Sequence, residues 1–215
     1  MKANKHLIEL LSRYRQLYTV REDIFQAYKI MKECFSHDCF LFLCGNGGSA
    51  SDVEHIVGEL MKGFLLKRNL KEKTIGKFEQ MFGEEGKQLS EYLQYGLRAI
   101  SLVGHPSLIT AFSNDVSAET VYAQQLFTLS KKGDILCALS TSGNSKNVVR
   151  ALQVAKFKGI KSIVLTGQSG GECGKLADCI IKVPETETYK VQELHLPVYH
   201  CLCSMLESHF FGDGT

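Results

Sequence analysis

The sequence lacks the features that mark several large classes of protein. It contains no dense block of Lys and Arg, and its formal net charge is only +2 over 215 residues. Charge therefore gives no support for a nucleic-acid or membrane-surface partner. No apolar run is long enough to span a bilayer, and the amino-terminal stretch has no continuous apolar segment of the signal-peptide type. We expect a cytoplasmic protein that binds neither nucleic acid nor membrane.

The sequence also lacks any CxxC pair, although it contains eight cysteines. Cys44, Cys137 and Cys179 lie in apolar runs typical of strands. This placement favours reduced, mostly buried thiols over disulfides or a zinc site built from cysteines.

A third absence concerns nucleotide binding. Neither glycine-containing loop ends in Gly-Lys-Ser or Gly-Lys-Thr, which a P-loop requires. The segment GNGGSA at residues 45–50 is also out of register with the GxGxxG pattern of dinucleotide-binding folds. A small phosphate ester therefore suits these loops better than a nucleotide.

The pattern that is present alternates short apolar runs with helical periodicity. Runs such as CFLFLCG and DILCALS are almost continuously apolar, which is typical of a parallel sheet covered on both faces. We expect a single α/β domain over residues 1–215, with a doubly wound parallel sheet flanked by helices. Residues 1–36 are predicted to form an N-terminal helical segment, and the charged residues 65–97 a helical insert.

Four hydroxyl groups follow one predicted strand, in the sequence STSGNS at residues 140–145. Ligands bind at the carboxyl ends of strands in such sheets. The amino end of the following helix attracts anions through its unpaired backbone N–H groups. Ser140, Thr141, Ser142 and Ser145 therefore suit a phosphate ester. The alternative is that one serine simply caps the helix, but four hydroxyls around one glycine favour phosphate.

Ionisable side chains lie on two predicted helices. His55 and Glu59 are four residues apart and therefore on one helix face. They suit a divalent metal, a catalytic carboxylate with its partner, or a surface ion pair. His200 lies among apolar residues of the last helix, where a buried core histidine is the simpler interpretation.

These motifs resemble those of the phosphoheptose isomerases, a family of the sugar isomerase (SIS) superfamily. The matching stretches cover most of the chain from Phe40 onward and are CGNGGSASDVEHIVGEL, FSNDVSAETVYAQQL, STSGNSKNVV, LTGQSGG and VQELHLPVYH. The resemblance implies an SIS-type fold and the interconversion of sedoheptulose 7-phosphate and glycero-manno-heptose 7-phosphate by enediol proton transfer. It also implies a cytoplasmic homotetramer with active sites between subunits, which makes heptose precursors of lipopolysaccharide or capsule.

The resemblance further implies roles for individual residues. Glu59 would be the base that moves a proton between C1 and C2, and His200 the acid–base partner at the oxygens. The phosphate would bind the hydroxyls of residues 140–145, and the other substrate contacts would be Asn46, Gly47, Gly48, Ser49, Asn114, Asp115 and Gln192. Some members of the family hold zinc, here at His55, Glu59, Gln192 and His200. One tension is that Gln192 and His200 are separated by roughly 12 Å of helix rise.

The chain departs from the family at two places beside these residues. Many members carry an Arg four residues after the base, whereas this chain has Gly63. Either Lys62, Lys67 or Arg68 compensates for it, or the substrate differs from heptose 7-phosphate. The charged insert is also longer than the usual connection.

Two other functions remain as alternatives to the isomerase. One is a regulator that uses the SIS fold as a scaffold to bind a protein such as a replication initiator. The other is a phosphosugar binder without turnover. The complete set of Glu59, Gln192 and His200 favours the enzyme, because a scaffold has no use for it.

Overall fold

The structure is a computed structural model that describes residues 2–212, with side chains from Lys5 onward. Five parallel strands form one sheet in the order β2-β1-β3-β4-β5. Their bounds are β1 (Leu41–Gly45), β2 (Ala99–Ser101), β3 (Ile135–Leu139), β4 (Lys161–Thr166) and β5 (Cys179–Lys182). Every residue of β1 and β3 is buried. The continuous apolar runs of the sequence are therefore interior strands.

The α-helices connect and cover these strands. They are α1 (Lys2–Arg13), α2 (Arg21–Ser36), α3 (Gly48–Met61), α4 (Glu72–Tyr92), α5 (Pro106–Phe112), α6 (Val121–Leu129), α7 (Lys146–Lys158), α8 (Gly171–Leu176) and α9 (Thr188–Phe210). Shorter 3₁₀ and π turns occur at Arg15–Val20, Ser113–Ser117 and Ala118–Thr120. Within residues 2–212, no helix combines the length and the apolar character needed to cross a membrane.

Two apolar cores lie on opposite faces of the sheet. Successive side chains of a strand point to opposite faces, so Leu41 and Leu43 of β1 belong to one core and Phe42 and Cys44 to the other. The first core is covered by α1, α2, α3 and α9, and the second by α6, α7 and α8. This arrangement confirms the predicted doubly wound α/β fold.

The strand order fixes where a ligand can bind. After β1 the chain passes to β2 on one side, and β3 then pairs with β1 on the other side. Such a reversal opens a crevice beyond the carboxyl ends of the two strands that flank it. The loops after β1 and β3 both border this crevice, as the sequence predicts.

The cysteines are free and mostly buried, as predicted, but the N-terminal helical segment is divided into two helices. All eight cysteines are free thiols, and seven of them are buried. The N-terminal helical segment is not continuous, because a 3₁₀ turn at Arg15–Val20 separates α1 from α2.

The insert consists mainly of α4, whose helix is interrupted at Gly83, where φ is +62°. Its two ends meet in an antiparallel bridge between Asn69 and Gln94. The backbone N–H of Tyr95 also donates to the carbonyl of Arg68 at 2.8 Å. The insert therefore projects from the domain, and its first and last residues lie side by side.

A buried ion pair fixes the start of the insert against α9. Nη2 of Arg68 lies 2.9 Å from Oε1 of Glu207 on α9, and both side chains are almost fully buried. Glu207 also accepts hydrogen bonds from the backbone N–H groups of Phe64, Leu65 and Leu66. The pair therefore fixes the segment between α3 and α4 against α9.

Removal of one partner of this pair should be costly. We expect Arg68→Met to lower the free energy of unfolding by about 3 kcal/mol, because it leaves the Glu207 carboxylate buried without a compensating charge. The exposed neighbour Lys67 provides a matched control, and Lys67→Met should change stability by less than about 0.5 kcal/mol. Urea unfolding of both variants tests this. Equal stabilities would contradict a structural role for the pair.

A second buried polar group lies in the middle of α9. His195 is fully buried, and burial lowers the pKa of its imidazole from 6.5 to about 4, with the Thr166 backbone opposing part of this shift. The folded protein therefore holds a neutral ring at pH values where the unfolded chain is already protonated.

Stability should consequently depend on pH through His195. Between pH 6.5 and 4 the unfolded state binds more protons, so the free energy of unfolding should fall as the pH drops, by about 3 kcal/mol over the full window. His195→Met removes the titrating group and should flatten this part of the profile. Denaturant unfolding between pH 4 and 7.5 measures both proteins. Parallel profiles would rule out His195 as the cause.

Candidate active site

The loop after β1 presents the first set of expected substrate contacts. Asn46, Gly47 and Gly48 are exposed, and α3 begins at Gly48. A Cβ at Gly48 would lie only 2.7 Å from Nε2 of Gln192. The Gln192 amide of α9 therefore packs directly on the start of α3, and a side chain at position 48 would displace it. These four residues come together at the crevice.

The hydroxyl loop after β3 forms the second set. Oγ of Ser140 donates to Oγ of Ser145 at 3.1 Å, and Oγ of Ser142 accepts from the backbone N–H of Asn144 at 3.1 Å. Ser145 occupies the N-cap position of α7 but makes no side-chain capping bond. The capping interpretation therefore does not account for the cluster. The amino end of α7 and the adjacent hydroxyls form an arrangement that suits an anion.

Two side chains that the sequence did not single out join these loops. Asn46 and Asn147 exchange side-chain amide hydrogen bonds of 2.9 Å in both directions. The hydroxyl of Tyr122 donates to the Gly45 carbonyl at 2.7 Å and lies 3.2 Å from Oδ1 of Asn46. Both residues lie within stretches quoted for the resemblance, but their spacing carried no signal of this contact.

Three expected contacts are less directly supported. The Ser49 side chain is buried in the first turn of α3. Asn114 and Asp115 lie exposed in the π turn and bond to each other at 2.9 Å. A salt bridge of 2.7 Å between Glu119 and Lys146 ties the chain just after this turn to the start of α7.

A separate cluster contains the expected catalytic residues. Nε2 of His55 lies 3.3 Å from Oε1 of Glu59, and Nζ of Lys62 lies 3.4 Å from Oε2 of the same carboxylate. The ring of His200 crosses the ring of His55 edge-on, with their centroids 5.0 Å apart. The structure therefore brings Glu59 and His200 together on facing sides of α3 and α9.

Tyr199 and Asp52 hold His55 in this cluster. The Tyr199 hydroxyl lies 3.1 Å from both Oδ1 of Asp52 and Nδ1 of His55. Burial raises the pKa of Asp52, against the hydrogen bond from Tyr199 and the charge of His55. Burial also raises the pKa of Tyr199, and Asp52 adds to this effect. No pattern in the sequence indicated the contact between Asp52 and Tyr199.

The surroundings of the His200 ring favour its neutral form. Burial lowers its pKa and the nearby His55 lowers it further, while Glu59 opposes both effects. Its Nε2 atom is buried and has no hydrogen-bond partner among residues 2–212. A neutral imidazole offers one donor and one acceptor nitrogen, as an acid–base partner requires.

The two clusters lie at opposite ends of α3. Each helical residue advances the axis by about 1.5 Å, so Glu59 lies about 16 Å along α3 from Gly48. In agreement, the carbonyl of Leu60 accepts from the N–H of Leu97, just before β2 begins, whereas Gly48 follows the end of β1. The cluster around Glu59 is therefore at the opposite edge of the sheet from the phosphate loop.

This separation also divides the expected zinc ligands. His55, Glu59 and His200 lie in one cluster, but Gln192 packs on Gly48 at the other end. As the side chains stand, no group of three or more His, Cys, Asp and Glu in the described part of the chain is close enough to hold a metal ion. The donor types nevertheless suit zinc, because imidazole and carboxylate are its usual ligands.

The structure explains the departure at Gly63. A Cβ there would lie 2.9 Å from Oε1 of Gln94 and even closer to the Leu66 carbonyl. An arginine therefore cannot be placed without moving the backbone. Arg68 does not compensate, because it is buried on Glu207. Lys62 is the cation that contacts Glu59.

Known proteins have a similar sequence and a similar fold. SIS-domain family models match residues 5–95 and 104–205. A phosphoheptose isomerase of Helicobacter pylori (strain P12) is 35% identical over 196 residues, which cover 91% of this chain and 88% of the relative. Phosphoheptose isomerase GmhA from Neisseria gonorrhoeae superimposes with a TM-score of 0.73 at 28% identity. A phosphoheptose isomerase from Francisella tularensis gives 0.72 at 26%. Each structural match covers 95% of this chain and 96% of the other.

Proposed function

Because the chain belongs to the phosphoheptose isomerase family, we propose that it interconverts sedoheptulose 7-phosphate and glycero-manno-heptose 7-phosphate. The contact of Glu59 with His55, next to His200, carries this proposal most directly. A scaffold protein has no need of a carboxylate and two imidazoles in contact. The isomerase is therefore favoured over the regulator and the non-catalytic binder.

The chemistry needs one base and one acid–base group. Aldose–ketose exchange removes a proton from the carbon next to the carbonyl and moves protons at two oxygens. The Glu59 carboxylate takes the proton from one carbon and returns it to the other. The neutral His200 imidazole donates to the oxygen on which negative charge develops and accepts from the other.

The helix rise of about 16 Å from Gly48 to Glu59 supports a site shared by two copies of the chain. From C1 to phosphorus the substrate contains eight single bonds of about 1.5 Å, so its extended length is only about 10 Å. The extended substrate is therefore shorter than the axial rise from Gly48, which lies beside the phosphate loop through the Asn46–Asn147 contact, to Glu59. We infer that the phosphate loop of one copy serves the Glu59 and His200 of another, within a homotetramer.

Zinc is the cofactor that we propose for this site. His55, Glu59 and His200 would hold it, and His200 offers a buried nitrogen without a partner among residues 2–212. Gln192 would come from a second copy, for the same reason as the phosphate loop. When bound, zinc would supply a Lewis acid for the substrate carbonyl.

The biological setting follows from the family and is part of the proposal. We propose a cytoplasmic enzyme that provides heptose phosphate for the precursors of lipopolysaccharide or capsule. Fractionation of cells that produce the protein, with the isomerase assay applied to each fraction, tests its location. Activity confined to a membrane or secreted fraction would contradict it.

Replacement of the base should abolish turnover. We expect Glu59→Gln to reduce kcat for sedoheptulose 7-phosphate at least about 100-fold, because general base catalysis contributes about 10²–10⁴ to such rates. Glu22→Gln, the same change at an exposed position of α2, should have no effect. Steady-state kinetics with matched thermal unfolding curves test the role.

Two outcomes would count against the proposal. A Glu59→Gln enzyme with undiminished kcat would remove Glu59 from the chemistry. A wild-type protein that converts no ketose phosphate, with or without added zinc, would remove the isomerase function itself.

Elemental analysis of the same preparations tests the metal: zinc should be present in the wild type and depleted in His55→Ala. An active wild-type enzyme free of metal would exclude a zinc requirement.

A further inference from the structure

A cavity of about 330 Å³ lies between α1 and α9, beside His200. Its walls include His6, Glu9 and Arg13 of α1, Phe64 after α3, and Pro197 and His200 of α9. The volume falls within the range of small-molecule sites, about 300–1,000 Å³. The cavity therefore lies between His200, the proposed acid–base residue, and α1. This helix lies outside the stretches that carry the family resemblance.

The polar groups of this cavity come from one face of α1. His6, Glu9 and Arg13 are spaced three and four residues apart and therefore lie in one row. His6 fastens this row to α9, since its Nε2 lies 2.7 Å from Oγ of Ser208. The Arg13 guanidinium lies over the Tyr14 ring, 5.5 Å from its centroid. One end of the row is thus tied down, and a cation is positioned at the other.

The opposite wall is apolar and fixed. The Phe64 ring lies against the His200 ring, with their centroids 5.5 Å apart. The backbone N–H of Phe64 donates to Glu207 at 2.8 Å, so the buried Arg68–Glu207 pair sets the position of this wall. A site with an apolar wall and a few oriented polar groups is typical for a small polar ligand with C–H faces.

We propose that this cavity receives the hydroxyl-bearing carbons next to the reacting carbonyl of the sugar, and that Arg13 is a specificity-determining residue there. The planar guanidinium presents donors in a fixed fork that matches two neighbouring oxygens. The Glu9 carboxylate accepts from a sugar hydroxyl. Many members of the family carry an arginine at the position of Gly63, where this chain has no room for one. Arg13 supplies a guanidinium near the site instead. This inference rests on the proposed isomerase function.

The test compares Arg13→Gln, Arg13→Lys and the control Arg15→Gln, which makes the same charge change outside the cavity. Arg13→Gln should raise KM for sedoheptulose 7-phosphate by about tenfold or more, as expected for the loss of hydrogen bonds to a charged group, while kcat changes less than threefold. Arg13→Lys should recover part of the loss, and Arg15→Gln should match the wild type. An Arg13→Gln enzyme with wild-type KM would overturn the proposal.

Two further measurements keep the result decisive. If Arg13→Gln alters the melting temperature or the size-exclusion volume, Glu9→Gln decides in its place: a raised KM supports the cavity and an unchanged KM overturns it. If the wild type shows no turnover, the isomerase function fails separately. Calorimetric titration with sedoheptulose 7-phosphate then decides the cavity. A dissociation constant about tenfold weaker in Arg13→Gln supports it, and equal binding, or no binding to the wild type, overturns it.

Discussion

The packing of α9 along α3 is the constraint on which the candidate site depends. At one end Gly48 lets the Gln192 amide lie on the start of α3. Toward the other end Tyr199 bonds to Asp52 and His55, and this contact brings His200 against the base. The two helices therefore carry both groups of candidate residues, one at each edge of the sheet. A shift of either helix by one turn would separate both sets of partners at once.

The fold was predictable from sequence because its signals are local and repeated. Buried strands such as β1 and β3 are apolar throughout, and the loops that follow them border the crevice as expected. The grouping of His55 with Glu59 also follows from helical spacing. The packing of the Gln192 amide on Gly48 does not, because these two residues are far apart in the chain. The contacts of Asn147, Tyr122 and Asp52 were missed for a related reason, since each joins elements far apart in the chain.

The insert and the N-terminal helix bear on the same catalytic cluster from two sides. Arg68 was a candidate substrate cation by sequence, and its burial on Glu207 makes it structural instead. That ion pair fixes Phe64 on the His200 ring, while α1 closes the other side of the cavity. The cluster is therefore shaped by two segments outside the sheet, the connection from Phe64 to Arg68 and the helix α1. An isomerase with this arrangement can keep its chemistry on α3 and α9 while the flanking segments determine which sugar is accepted.

Subunit mixing tests whether one chain supplies the phosphate loop and another supplies the base. Glu59→Gln and the loop variant Thr141→Val/Ser142→Ala should each have little activity alone. If both are co-expressed with different tags and the mixed oligomers are purified, about one quarter of randomly paired sites should contain a wild-type loop and a wild-type Glu59. The isomerase activity of the mixed oligomers should rise well above that of either parent and approach about one quarter of the wild-type activity. Mixed oligomers no more active than the parents would contradict a site shared between chains.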